Sequence, residues 1–101
     1  KPDAIPADVM EAWLDMKHIE FPLTLRPRKQ GDYLYPLGMK IKKKKVSRLL
    51  IDMKVPVNKK DDVLILQTGK RIAWVSGMRI DERYKITDST ESVLVVKCTR
   101  L

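Results

Sequence analysis

The sequence predicts an α+β domain rich in strands, and three observations predict it. Residues 63–66 and 72–75 are short apolar runs joined through Gln67-Thr68-Gly69-Lys70, the pattern of a β-hairpin. Residues 21–26 and 92–98 alternate apolar and polar side chains as half-buried strands do. A single stripe of Val46, Leu49, Leu50 and Met53 falls at i, i+3, i+4 and i+7, which marks one amphipathic helix over residues 46–55. At 101 residues the chain is one domain with a modest core.

Taken in order, residues 1–6 carry two prolines and read as the tail of a linker, so residues 1–8 are a linker remnant and residues 9–101 the domain. A start at Lys1 suggests a portion of a longer protein. Val9, Ala12, Trp13 and Met16 have helical spacing, so local pattern allows a short helix there. Pro22 puts the strand of residues 21–26 at a sheet edge or a strand start. Residues 27–45, rich in Gly, Pro and Lys, read as a long loop, a length that usually carries a function. Pro56 ends the helix. In the last strand Val93, Val95 and Lys97 face away from Leu94, Val96 and Cys98. Trp13 and Trp74 sit among apolar neighbours and are expected in the core. Asp61-Asp62 and Asp81-Glu82 are expected as solvated turn residues.

The charge is segregated. Residues 26–60 hold twelve Lys or Arg against Asp32 and Asp52, a net of +10, whereas the remaining 66 residues carry nine basic and eleven acidic groups. A local field of this kind attracts a polyanion, most commonly a phosphate backbone; a solvated lysine loop without a partner is the plainer alternative. The densest point is Lys40-Ile41-Lys42-Lys43-Lys44-Lys45 with Arg48 beyond it, and Tyr33 and Tyr35 lie just upstream, placed either to stack on an exposed base or to pack on the sheet. Arg79 and Arg83 flank Ile80-Asp81-Glu82 and fit either a local ion pair or a phosphate contact.

Catalytic chemistry finds little support. His18 has no histidine companion, and with one cysteine, Cys98, it falls short of a four-ligand zinc site. Gly31, Gly38, Gly69 and Gly77 are scattered and form no phosphate-cradling loop. No nucleophile–base pairing stands out around Ser47, Ser76, Ser89 or Ser92. No catalytic residue, metal site or cofactor is therefore expected in these 101 residues. A lone cysteine, no apolar run of membrane-spanning length and no secretory signal fit a cytoplasmic protein.

A longer set of motifs points to one family. Phe21-Pro22-Leu23-Thr24-Leu25-Arg26 is followed by Gly31-Asp32, then Tyr35-Pro36-Leu37-Gly38, the lysine cluster, Val46-Ser47, Leu49-Leu50-Ile51-Asp52 and Lys54-Val55-Pro56. Ile72-Ala73-Trp74-Val75 with Gly77, Arg79, Ile80, Asp81 and Arg83 completes the series. In order and spacing these residues resemble the C-terminal domain of the tRNA(Ile)-lysidine synthetases. The resemblance implies a layered β-sandwich with small helices, similar to a module of the phenylalanyl-tRNA synthetase beta subunit, and an extended strand near residues 12–15 in place of the short helix. It implies a parent ligase that uses ATP, with magnesium, to adenylate the wobble cytidine of an isoleucine tRNA with a CAU anticodon and then joins lysine to it. That chemistry belongs to an N-terminal catalytic domain, while the C-terminal domain grips the tRNA acceptor stem. The candidate RNA contacts are Arg26, Arg28, Lys40, Lys42, Lys43, Lys44, Lys45, Arg48, Lys54, Lys60, Arg79 and Arg83. The family often has glycine where Ile41 stands and arginine where Lys60 stands.

Other functions remain open to the sequence. A general duplex-RNA or ribosome-associated module would use the same cations without preferring tRNA, and a structural spacer would leave them without a ligand. Docking to an anionic membrane calls for a basic helix with exposed aromatics, and residues 46–55 carry Arg48 and Lys54 but no aromatic side chain.

Overall fold

A computed structural model describes residues 9–39 and 42–99. The expected linker, residues 1–8, and Lys40 and Ile41 at the head of the lysine cluster lie outside the described residues. The chain runs β1 (Val9–Asp15), β2 (Leu23–Pro27), β3 (Tyr33–Leu34), β4 (Lys44–Lys45), α1 (Val46–Asp52), β5 (Leu64–Thr68), β6 (Arg71–Val75), β7 (Arg79–Ile80) and β8 (Val93–Thr99). Short 3₁₀ turns occupy Met16–His18, Val57–Asp62 and Glu82–Tyr84.

The centre is an antiparallel sheet in the order β2-β5-β6-β7. Each of its faces carries its own apolar core. On one, α1 and the β3–β4 ribbon bring Leu34, Val46, Leu49 and Leu50 against Ile65, Ile72 and Val75. On the other, the β1–β8 ribbon brings Ala12 and Leu14 against Leu66, Ala73, Trp74 and Tyr84. A strand covered on both sides needs apolar residues throughout, which is why residues 72–75 are a continuous apolar run. The register shifts within the β5–β6 pair: Leu66 faces Trp74 while Gln67 faces Ile72, so Ala73 is the extra residue of a bulge. The bulge breaks strict alternation. Ile72 and Val75 join one core, and Ala73 and Trp74 join the other. This is the layered, strand-rich architecture expected from the sequence.

One expectation at the first strand is met, and two others are corrected. Residues 9–15 are a strand, as the resemblance implied for residues 12–15 against the helical spacing, and its period of two sends Ala12 and Leu14 inward and Trp13 outward, against the core position expected for that tryptophan. Trp13 is therefore 55% exposed, opposite Val95 on the outer face of the ribbon, and only Trp74 is a core tryptophan. Residues 27–45 are not one open loop. They contain β3 and β4, and Leu34 and Pro36 are fully buried. Two-residue strands leave no periodicity for a sequence to display.

The helix stops at Asp52, short of residue 55, and Met53 is exposed. Its end is a Schellman motif: Val55 N–H donates to the Leu50 carbonyl at 3.0 Å and Lys54 N–H to that of Ile51 at 2.9 Å. Lys54 takes the left-handed conformation (φ 58°) usually given to glycine at this position. The residue before a proline disfavours helical geometry, so the turn must come before Val55, which then packs on the core. A left-handed non-glycine residue costs about 1–2 kcal/mol. Lys54→Gly is accordingly expected to stabilise the domain by about 1 kcal/mol, read as a higher denaturant midpoint at an unchanged slope.

Candidate nucleic-acid interface

The lysine cluster forms the edge strand β4 and its approach. Lys45 and Lys42 are exposed and have no acidic partner among the described residues. Lys43 Nζ stands 4.1 Å from the centroid of the Tyr33 ring. Lys44 is different: it is paired with Asp52, which also meets Arg48 Nε at 3.6 Å. The hydrogen bond from Lys44 holds the Asp52 carboxyl below its ordinary range. Arg28 meets Asp61 at 3.3 Å and the Lys60 carbonyl at 3.4 Å, and Lys54 is exposed on the left-handed turn. Arg79 Nη1 donates to the Leu37 carbonyl at 3.4 Å in a separate groove shared with Trp13 and Met53, a surface on which an aromatic ring and a guanidinium stand together.

Arg26 and Arg83 are each held by an acid through paired hydrogen bonds. Asp81, expected as a solvated turn residue, is fully buried. Its Oδ1 accepts from Arg83 N (2.8 Å) and Nε (2.9 Å), and its Oδ2 from Arg83 Nη2 (2.9 Å) and Tyr35 N (2.9 Å). These hydrogen bonds raise the Arg83 pKa further. The same guanidinium lies 4.6 Å from the Tyr35 ring centroid, and Tyr35 meets Tyr33 edge to face at 6.1 Å. Lys43, Tyr33, Tyr35 and Arg83 thus form one continuous cation–aromatic chain. Of the two readings left open for Arg83, the local ion pair is present, with side-chain donors to spare.

Arg26 repeats the arrangement on β2. Its guanidinium donates to both carboxyl oxygens of Asp32 at 2.9 Å, to Gln67 Oε1 at 2.7 Å and to the Pro27 carbonyl at 2.9 Å. Four of its five N–H groups are therefore engaged. Gly31, at φ 91°, turns the chain so that Asp32 also accepts from Lys29 N at 2.7 Å. Burial opposes ionisation of Asp32, but the bonds from Arg26 and Lys29 outweigh it and hold the carboxyl below its ordinary range.

These residues frame two adjoining clefts. One is lined by Arg26, Tyr33, Arg83 and the hairpin residues Lys70 and Arg71; the other by Arg28, Lys29 and Lys45. Gly31 and Asp32 line both. Sequence reasoning missed Lys29, Lys70 and Arg71. The basic pair at a hairpin turn was the available signal, but Lys70 lies far along the chain from the lysine cluster and only β6 pairing brings it near. Among the described residues no three His, Cys, Asp or Glu side chains gather as a metal site would need.

Residues 23–97 match the family described as the TilS substrate C-terminal domain. The chain belongs to that family. Among TilS relatives, a tRNA(Ile)-lysidine synthase of Parabacteroides distasonis is 44% identical over 84% of this chain. Another tRNA(Ile)-lysidine synthase, from Symbiobacterium thermophilum, is 37% identical over 98% of it. The chain spans about a fifth of the length of these curated relatives, 19% and 21% respectively. A solved structure described as a TilS C-terminal domain superposes with a TM-score of 0.72 at 22% identity, over 98% of this chain and 76% of that one. That likeness establishes a shared fold.

Two outcomes follow from the acids of this TilS domain. Asp81→Asn keeps the shape but turns an acceptor into a donor against the N–H groups of Arg83 or Tyr35, and is expected to cost about 3 kcal/mol, measured by denaturant unfolding. Because Asp32 has a folded pKa below its unfolded one, its contribution is complete above the ordinary carboxylate range and is lost as pH falls from that range through the lower folded pKa. The thermal midpoint should hold from pH 8 to about 5 and fall below about pH 4, and Asp32→Asn should make that fall shallower.

Proposed function

We propose that this chain is the tRNA-gripping C-terminal domain of a tRNA(Ile)-lysidine synthase, and that its basic face binds the acceptor stem through phosphates. The observation that carries this reading is the pair of adjoining clefts, in which lysines without acidic partners stand beside arginines held in fixed orientation. An acceptor stem is A-form RNA, whose deep major groove hides the base edges, so phosphates, 2′-hydroxyls and shape are what a protein can grip. Lysine supplies a point charge that follows the backbone, and arginine supplies a planar fork that sets its orientation. The family membership supports a tRNA as the polyanion.

The parent enzyme, on this reading, uses ATP to attach lysine to the wobble cytidine and acts in the cytoplasm. No helix among the described residues is long and apolar enough to cross a membrane. Among the described residues the glycines stand apart, and Asp32, Asp52 and Asp81 are engaged by arginines and lysines, an arrangement that does not suit ATP and magnesium. Adenylation is therefore assigned to the catalytic part of the parent. A grip on the acceptor stem raises the local concentration of the anticodon there, and supplies a second contact by which tRNAs sharing a CAU anticodon can differ.

Titration of labelled isoleucine tRNA at several salt concentrations tests the reading. With about four to six phosphates neutralised, log affinity should fall against log salt with a slope of about −3 to −5. Changing Lys42, Lys43 and Lys45 together to Glu should abolish most of the binding with little change in thermal midpoint, since exposed charges contribute little to folding. Lys44 is left intact because Asp52 holds it. A flat salt dependence would remove phosphate contact as the basis of binding.

A further inference from the structure

The cleft bounded by Arg26, Tyr33, Lys70, Arg71 and Arg83 has a volume of about 90 Å³, room for a few waters or one phosphate group. Its charges are of two kinds. Arg26 and Arg83 are neutralised by Asp32 and Asp81, which fix both guanidinium planes with hydrogen bonds of 2.9 Å. Lys70 and Arg71 are exposed and have no acidic partner among the described residues. The cleft thus keeps two uncompensated positive charges facing two arginines whose remaining N–H groups are already oriented. Each of the two carboxylates is engaged by its own arginine, so neither neutralises the lysine–arginine pair. An anion of one to two charges completes the balance, and a phosphate group carries that charge with oxygens suited to arginine forks.

We propose that this cleft is a seat for a single phosphate group of the bound RNA, with Lys70 and Arg71 supplying the charge and Arg83 the orientation. The seat rests on the RNA-binding reading above. Two sources share this chemistry. A 5′-terminal phosphate monoester carries −1.5 to −2 and matches the two free charges, whereas an internal phosphodiester carries one. The cleft also shares Gly31 and Asp32 with the neighbouring one that holds Arg28, Lys29 and Lys45, so a strand seated here can continue onto further cations. Tyr33, exposed at the rim beneath Lys43, offers an aromatic surface to the nucleotide attached to that phosphate.

The test uses this chain with a 3′-labelled acceptor-stem minihelix carrying either a 5′-phosphate or a 5′-hydroxyl. The unaltered chain is compared with Lys70→Gln/Arg71→Gln, and with Lys42→Gln/Lys45→Gln as the control for the rest of the basic face. Thermal midpoints verify folding, and Arg71→Lys tests whether charge alone suffices. The Lys70/Arg71 variant is expected to bind about tenfold or more weakly, with the salt slope reduced in magnitude by about 1 to 2. If removing the 5′-phosphate weakens the unaltered chain but not this variant, the seat takes the RNA end. If both RNAs bind the unaltered chain equally and the variant poorly, it takes an internal phosphate. If the Lys70/Arg71 variant keeps full affinity and slope while the Lys42/Lys45 variant loses them, the seat is refuted and RNA binding stands. No binding by the unaltered chain would overturn both.

Discussion

A carboxylate buried without partners would be unionised or would unfold its surroundings. Asp81 is buried because four N–H groups converge on it, and the structure around it depends on that convergence. Its backbone N–H donates at 2.8 Å to the carbonyl of Ala73, the extra residue of the β6 bulge. Its side chain captures Tyr35 N from the segment leading to the lysine cluster, and its own 3₁₀ turn delivers Arg83. Leu37 N donates to the Ile80 carbonyl at 3.0 Å and Glu82 N to that of Tyr35 at 2.6 Å, so residues 35–38 are stitched along the same turn. One acid thereby ties a central strand, the approach to the basic strand and an arginine into a single unit.

The basic face is positioned largely by acids. Asp32 and Asp81 take up the donors of Arg26 and Arg83 on the cleft wall, and Asp52 takes Lys44 and Arg48 away from it. What is left for a ligand is a subset of the cations chosen by geometry and not by sequence density. A uniformly charged loop would bind RNA through many weak, interchangeable contacts. A surface with fixed arginines among exposed lysines adds orientation to attraction, because the fixed groups have already lost their rotamer freedom before the ligand arrives.

The sheet carries two cores, and both β5 and β6 contribute side chains to each, which constrains what can surround the site. Trp74 and Tyr84 fill the side toward the β1–β8 ribbon, while Leu34 and Leu50 fill the side toward α1. The hairpin tip at Lys70 therefore emerges between layers that are each anchored by their own apolar contacts. Thr68, buried at its base, exchanges hydrogen bonds of 2.6 and 2.7 Å with Glu20 N and O and fixes the entry to β2. The cations at the tip project from a rigid base.

The sequence by itself determined the strand-rich class, the β5–β6 hairpin, the position of the helix and the segregation of charge, because each is a local or compositional signal. It also carried the order of motifs that marks the family. The long segment of residues 27–45 was opaque because strands of two residues have no period, and α1 ended early because a left-handed lysine does there what glycine usually does. Trp13 was misplaced because apolar neighbours along the chain do not fix which face of a strand a residue takes. The partners of Asp81, the pairing of Arg26 with Asp32, and the meeting of Lys70 and Arg71 with Arg83 were decided only by tertiary structure. Hydrogen bonding and cation clustering depend on distances in space, and antiparallel pairing with a one-residue bulge sets those distances in a way that spacing along the chain does not encode.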